Sequence, residues 1–177
     1  MAKLRRADAE LRSAVSRHVP DWSPEADMRR RQIERLLGTL LDYDEIARVA
    51  LGPSYVKLPP ERRRTFITTF AALTRRNFIA KLQREKTQTN YEEETIDGSQ
   101  ARVTATACPQ GARPDSRARI EYRLARKGND WMVIDVVVDG TSLVATYQRQ
   151  FRRLVEREGM DGLMVRMREQ LASATTN

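Results

Sequence analysis

The chain has 177 residues and a formal net charge of +8, with 32 lysines and arginines against 24 aspartates and glutamates. That length supports one sizeable core but not two, so we expect a single domain over residues 1–177. The hydrophobic share of 40% and charged share of 32% are typical of a globular protein in water, and no run reaches the roughly 18 apolar residues of a membrane span.

Cys108 is the sole cysteine, which excludes an internal disulfide. With His18 as the sole histidine there are too few ligands for zinc, so we expect no metal and no cofactor.

The first residues are basic but do not continue as a signal peptide. Residues 1–6 would suit the start of one, whereas Asp8, Glu10 and Arg12 stand where its apolar segment should be. We therefore expect that any export signal has been removed from this sequence or never existed.

The positive charge is compatible with a nucleic-acid or anionic-membrane partner. The arginine clusters are dispersed, however, and each lies outside the apolar stripe of a predicted helix: residues 29–31, 62–64, 75–76 and 152–153. Solvated helix faces are the simpler interpretation. A steep fall of binding with added salt would be needed to support nucleic-acid binding.

The first half of the chain has the spacing of helices. Residues 8–18 predict a short helix that Pro20 ends. A longer helical stretch follows, interrupted at residues 42–44 and ended by Gly52-Pro53. The segment LPPERRRTFITTFAALTRRNFIAKL then predicts an amphipathic helix with Pro60 in its first turn.

After residue 86 the apolar period changes from helical to two, which indicates strands. Residues 87–96 and 101–108 predict the first two strands. A clearer alternation follows in SRARIEYRLARK, and residues 128–130 then turn the chain into WMVIDVVVDG. These segments predict four consecutive strands.

The fourth strand contains the longest apolar run. Simple alternation predicts one wholly apolar face, made of Met132, Ile134, Val136 and Val138. Trp131, Val133 and Val137 then share the other face with Asp135. We expect Asp135 to pair with an arginine of a neighbouring strand, such as Arg123 or Arg102.

The run DVVVDGTSLVATYQRQF leads from this strand into a helix at Asp139-Gly140. Two helices close the chain, and their apolar residues recur at helical spacing. The first presents Leu143, Tyr147, Phe151 and Leu154, and the second presents Leu163, Met164, Met167 and Leu171. The order predicts an α+β fold in which a four-stranded antiparallel twisted sheet, a meander, is covered by N- and C-terminal helices.

Two long segments resemble a known family. They are LDYDEIARVALGPSYVKLPPERRRTFITTFAALTRRNF and, far downstream, WMVIDVVVDGTSLVATYQRQFRRLVEREGMDGLMVRMRE. Their order, spacing and length resemble the MlaC family, also called the toluene-tolerance auxiliary family, over about residues 8 to 171. The family usually has an apolar residue where Thr141 stands and often a tryptophan where Tyr55 stands.

The resemblance implies a monomeric periplasmic protein that carries a phospholipid as cargo and is not an enzyme. Its partners would be an outer-membrane complex containing MlaA and an inner-membrane ABC transporter containing MlaD, with no nucleic acid. Shielding one acyl methylene from water is worth about 0.8 kcal/mol, so roughly 25 of them amount to about 20 kcal/mol. A carrier of this kind needs an enclosed apolar cavity.

We expect that cavity between the sheet and the helix that begins near Leu58, with residues 140–144 lining its mouth. The candidate lipid-binding residues are Phe66, Phe70, Leu73, Val103, Ile120, Tyr122, Val136, Val138, Thr141, Leu143, Val144 and Tyr147. No glycine-rich loop precedes a helix as a phosphate cradle, so the headgroup should stay outside. Periodicity alone favours a simpler alternative, a solid core made of Phe66, Phe70, Ile120, Tyr122, Val136 and Tyr147.

Other classes of protein are also compatible with this pattern. An NTF2-like or cystatin-like α+β module could bind a different small apolar ligand. An enzyme of that kind could use Asp135, near Trp131, as a general base. Phospholipid in an organic extract of the pure protein would favour the carrier.

Overall fold

The computed structural model describes residues 1–16, 23–84, 87–109, 111 and 117–173, and His18 and Pro20 lie outside them. The helices are α1 (Ala2–Ser16), α2 (Pro24–Leu40), α3 (Tyr43–Leu51), α4 (Pro53–Val56), α5 (Pro60–Arg84) and α6 (Leu143–Ala172). The strands are β1 (Thr87–Asp97), β2 (Gln100–Pro109), β3 (Ala118–Lys127), β4 (Asp130–Val138) and β5 (Thr141–Ser142). None of the described helices is both long and apolar enough to span a membrane.

The strands form one antiparallel sheet in chain order, β1-β2-β3-β4-β5. The α+β meander is thus confirmed, with five strands rather than four, because Thr141 pairs with Val138 to begin a short fifth strand. Asp139 and Gly140 have φ values of 47° and 78°. A two-residue hairpin turn that matches the sheet twist needs positive φ at both central positions, and Asp-Gly suits it. The turn between β4 and β5 is therefore a tight hairpin, and α6 starts directly after β5.

A β-bulge in β4 makes the predicted apolar face of that strand wrong. Tyr122 pairs with Val136 and Leu124 pairs with Val133, so residues two apart in β3 oppose residues three apart in β4. The extra residue in β4 reverses the alternation of side chains. Val133 and Val136 consequently lie on the same face of the sheet.

Because of this bulge, two further side chains of β4 do not lie beside the neighbours that simple alternation predicted. Met132 pairs with Ala125, next to Leu124 in β3, and therefore lies on the face opposite to Val136. Asp135 also lies opposite to Val136, and so it does not share a face with Trp131 as simple alternation predicted.

The buried apolar side chains form two clusters. The sheet cluster joins the sheet to α1 and α2 and contains Leu4, Leu11, Ala14, Ile33, Leu37, Leu40, Tyr91, Val103, Ala105, Leu124 and Val133. The helical cluster joins α3, α5 and α6 and contains Ala47, Ala50, Leu51, Leu58, Phe66, Phe70, Leu73, Val144, Phe151, Leu163, Met164 and Met167. Helix α5 contributes to both, because Ile79 packs against the sheet cluster.

Helix α6 bends sharply at Gly159, whose φ of 70° and ψ of −177° are not helical. The bend separates a first arm, residues 143–158, from a second arm, residues 160–172, in agreement with the two predicted closing helices. Ion pairing of Asp161 with Arg62, together with a hydrogen bond from Arg76 to the Gln170 carbonyl, places the second arm beside α5.

Candidate functional site

An aromatic cluster joins α5 to the first arm of α6. Phe66 and Phe70 lie one helical turn apart with nearly parallel rings, 5.8 Å between centroids. Phe151 meets both rings edge-on, at 5.7 Å and 5.4 Å, and Tyr147 meets Phe70 edge-on at 5.0 Å. Edge-to-face contacts of this kind add to the stabilisation from burial. Phe66, Phe70 and Phe151 are at most 4% exposed, so this part of the molecule is a packed core.

A cleft of about 310 Å³ lies beside this cluster. Its apolar lining consists of Leu73, Leu143, Tyr147, Phe151, Leu154, Leu163 and Met167. Its polar lining consists of Asn77, Thr146, Gln150, Arg166 and Gln170. These residues come from α5 and from both arms of α6. The cleft therefore lies between three helical segments, and among the described residues none that lines it belongs to the sheet.

The structure divides the predicted lipid-binding residues into two sets. Phe66, Phe70, Leu73, Val144 and Tyr147 belong to the helical cluster, whereas Val103, Ile120, Tyr122 and Val136 belong to or pack against the sheet cluster. Val138, Thr141 and Leu143 are assigned to neither cluster, and Leu143 is 44% exposed. Of the whole set, Leu73, Leu143 and Tyr147 line the cleft.

The start of α6 is attached to the face of β4 that lies opposite to Val136. The carboxylate of Asp135 accepts hydrogen bonds from the Ser142 hydroxyl at 2.7 Å and from the Val144 N–H at 3.2 Å. Its ion pair with Arg123, at 3.6 Å, confirms the expected arginine partner. These contacts explain why Tyr147 packs against the helical cluster and Leu143 lines the cleft, while Val136 lies on the other face of β4.

The sequence did not single out as site residues the five polar residues that line the cleft, nor four of the apolar ones: Phe151, Leu154, Leu163 and Met167. Their helical spacing in the closing helices was visible. The direction of the second arm was not visible in the sequence. Spacing within a helix does not show where a bend at Gly159 will place the residues that follow it.

A second and larger cleft, of about 790 Å³, lies between α1 and α2. Its lining is mostly polar or charged: Glu10, Ser13, Glu25, Arg29, Gln32, Arg35 and Thr39 accompany Ala14, Met28 and Leu36. The stems of these long side chains nevertheless leave much of the surface apolar, so residue types alone do not decide between the two clefts. The cleft between α5 and α6 is the candidate lipid site because it is the one that the predicted lipid-binding residues Leu73, Leu143 and Tyr147 line.

Burial raises the pKa of three tyrosines that do not line the cleft. It raises the pKa of Tyr43 to about 12, and it also raises the pKa of Tyr91 and Tyr122, whose rings stack 6.0 Å apart in the sheet cluster. Within the described residues, no group of three or more His, Cys, Asp or Glu side chains could hold a metal ion.

A family model described as MlaC protein matches residues 8–169 of the chain. The chain belongs to the MlaC family. The fold is similar to that of a solved structure of a phospholipid-binding protein from Ralstonia solanacearum in complex with a phospholipid. The two have 20% sequence identity and a TM-score of 0.76, and the match covers 99% of this chain and 98% of that one.

Proposed function

We propose that this MlaC family member is a phospholipid carrier and not an enzyme. The observation that supports it most directly is the cleft between α5 and α6, which the predicted lipid-binding residues Leu73, Leu143 and Tyr147 line together with further apolar side chains. Family membership and the shared fold with the phospholipid-bound Ralstonia protein point in the same direction.

The cleft has room for part of one acyl chain. Its volume of about 310 Å³ is roughly ten times the share of one water molecule in the liquid, which is about 30 Å³. A phospholipid with roughly 25 or more methylenes to shield needs more space than this. Whole chains therefore require the helical cluster to open, with Phe66, Phe70, Leu73, Val144 and Tyr147 exchanging contacts with each other for contacts with lipid.

We further propose that the lipid site extends towards the sheet. Val103, Ile120, Tyr122, Val136, Val138 and Thr141 would contact acyl chains once the two clusters separate. Helix α5 is the element that would guide such a movement, because it packs against both clusters. The headgroup would remain outside, which makes the carrier tolerant of headgroup type.

The carrier would act in the periplasm between two membrane complexes. We propose the MlaA-containing complex of the outer membrane and the MlaD-containing ABC transporter of the inner membrane as its partners, on the basis of family membership. The phospholipid is the cargo, with no other cofactor.

An enzymatic role for Asp135 has less support, because its carboxylate is engaged by the Ser142 hydroxyl and the Val144 N–H.

Replacing Leu143 by tryptophan tests the site. Leu143 lines the cleft and is 44% exposed, so an indole can fill the cleft without disturbing the core. Val165 on the second arm is 49% exposed and does not line the cleft, so Val165→Trp is the matched control. We expect Leu143→Trp to retain its melting temperature and to lose most of its phospholipid, measured by mass spectrometry of organic extracts, while Val165→Trp keeps both.

Two outcomes would contradict the proposal. Natively purified wild-type protein without phospholipid, and with no uptake from vesicles, would reject the carrier function. Full phospholipid content in a folded Leu143→Trp variant would reject this cleft as the site while leaving the function open to another location.

A further inference from the structure

The first arm of α6 carries an unusual local excess of positive charge. The segment LVATYQRQFRR, residues 143–153, has three arginines and no acidic residue. In the described part of the chain, Arg149, Arg152 and Arg153 have no carboxylate within ion-pairing distance, whereas Arg12 and Arg48 pair with acidic residues of their own helices. All three arginines of the segment are exposed.

Two of these arginines lie along the rim of the cleft. Arg149 donates a hydrogen bond of 3.0 Å to the hydroxyl of Thr146, which lines the cleft. Arg153 follows Arg149 by four residues and the lining residue Gln150 by three, so all four side chains lie on neighbouring positions of one helix side. Arg149 and Arg153 therefore form a positive row beside the opening.

An exposed apolar side chain lies at the same opening. Leu143, also a lining residue, leaves 44% of its surface in contact with solvent. Apolar residues next to unpaired basic residues are typical of protein surfaces that rest on a bilayer, where the apolar group enters the interface and the cations meet anionic headgroups. An acidic protein surface would satisfy the arginines but would give no reason for Leu143 to stand exposed beside them.

We propose that this rim docks directly on an anionic phospholipid surface, with Arg149 and Arg153 against the headgroups and Leu143 in the interface. The inference rests on the proposed carrier function and adds to it a surface that holds the carrier against the membrane in which each partner complex lies. In this position the opening of the cleft faces the bilayer, so an acyl chain need not cross water.

Vesicle binding tests the docking surface. The double variant Arg149→Gln/Arg153→Gln is compared with Arg31→Gln/Arg64→Gln, which removes the same charge from two exposed arginines on α2 and at the start of α5. Cosedimentation uses vesicles of phosphatidylcholine with and without phosphatidylglycerol, at low salt. We expect the first variant to bind the anionic vesicles about thirtyfold more weakly, roughly fivefold for each arginine. The control variant should change little, and wild-type binding should fall as salt screens the charges.

A charge-conserving variant separates a bilayer from a protein partner. A headgroup layer attracts any cation, so Arg149→Lys/Arg153→Lys should bind anionic vesicles as the wild type does. Equal loss of binding in the lysine and glutamine variants would indicate a partner that needs the planar guanidinium, and it would overturn the bilayer proposal. Wild-type binding that is equal with and without phosphatidylglycerol, or equal to that of the glutamine variant, would also overturn it. Phospholipid in extracts of the same preparations reports on the carrier function separately.

Discussion

Asp135 and Ser142 are joined by a 2.7 Å hydrogen bond that ties β4 to the start of α6. The Ser142 hydroxyl donates to the carboxylate and accepts from the Ala145 N–H at 3.0 Å, while the other carboxylate oxygen accepts from the Val144 N–H. Two of the free amide groups at the helix N-terminus are thus satisfied. The apolar run around Asp135 places apolar side chains on both faces of the sheet. Val136 packs against the sheet cluster, and Val137 is buried on the other face.

Asp135→Asn should lower stability modestly and leave phospholipid binding intact. An asparagine keeps one acceptor oxygen for this network and loses the charge that faces the half-exposed Arg123. We expect a loss of about 0.5–2 kcal/mol in the free energy of unfolding, measured in urea. Loss of bound phospholipid without any change in melting would mean that Asp135 acts in binding rather than in structure.

The helices and strands of this fold could be predicted from the sequence because their signals are local. Pro60 in a first turn, Gly52-Pro53 after α3 and the alternation of β3 each depend on a few neighbouring residues, and all three stand as predicted. The membership of the sheet cluster and of the helical cluster could not be predicted in the same way, because it depends on contacts between distant parts of the chain. The bulge in β4 depends on how β3 pairs with it, and one extra residue moved Met132 and Asp135 to the opposite face from Val136.

The candidate site could be predicted only in part, again because local spacing does not show how helices pack against each other. Spacing showed that Phe66 and Phe70 share a face of α5 and that Tyr147 and Phe151 share a face of α6. It did not show which faces would meet, nor that the second arm folds back to complete the cleft. That arrangement depends on backbone angles at Gly159 and on the close approach at Gly162.

Val136→Trp tests whether the lipid site reaches the sheet. Val136 is half-buried beside Tyr122, so an indole has room towards the space that opens when the two clusters separate. We expect a folded protein with reduced phospholipid content. In a core that stays closed, the larger side chain would cost about 1–3 kcal/mol. A variant that unfolds readily, or one that is folded with undiminished phospholipid, would limit the site to the helices.

Tyr43→Phe should reduce the loss of stability at alkaline pH. The Tyr43 hydroxyl is buried without a hydrogen-bond partner among the described residues, and Thr74 near it donates its own proton to the Phe70 carbonyl. Burial raises the pKa of Tyr43 from 10.0 to about 12. The unfolded chain therefore releases this proton first, so the contribution to stability is complete below pH 10 and is lost as the pH rises towards 12.

Urea unfolding at pH 8 and at pH 11 measures this effect. The wild type should lose more stability between the two values than Tyr43→Phe does, although Tyr91 and Tyr122 contribute to both. At pH 8 the variant should be as stable as the wild type or slightly more stable, because it removes an unpaired buried hydroxyl. An equal alkaline loss in both proteins would show that Tyr43 titrates normally.

Gly162→Ala and Gly38→Ala form a matched pair, since both glycines lie inside helices and both changes raise helix propensity. A Cβ at Gly38 meets no atom within 4 Å, so alanine should stabilise the protein by about 0.5–1 kcal/mol. A Cβ at Gly162 would overlap the Cβ of Glu158, so alanine there forces the two arms of α6 apart. Because Leu163 and Met167 are buried on the second arm, we expect the gain in propensity to be outweighed and the melting temperature to fall. A rise in melting temperature for Gly162→Ala as large as that for Gly38→Ala would show that the arms tolerate separation at the bend.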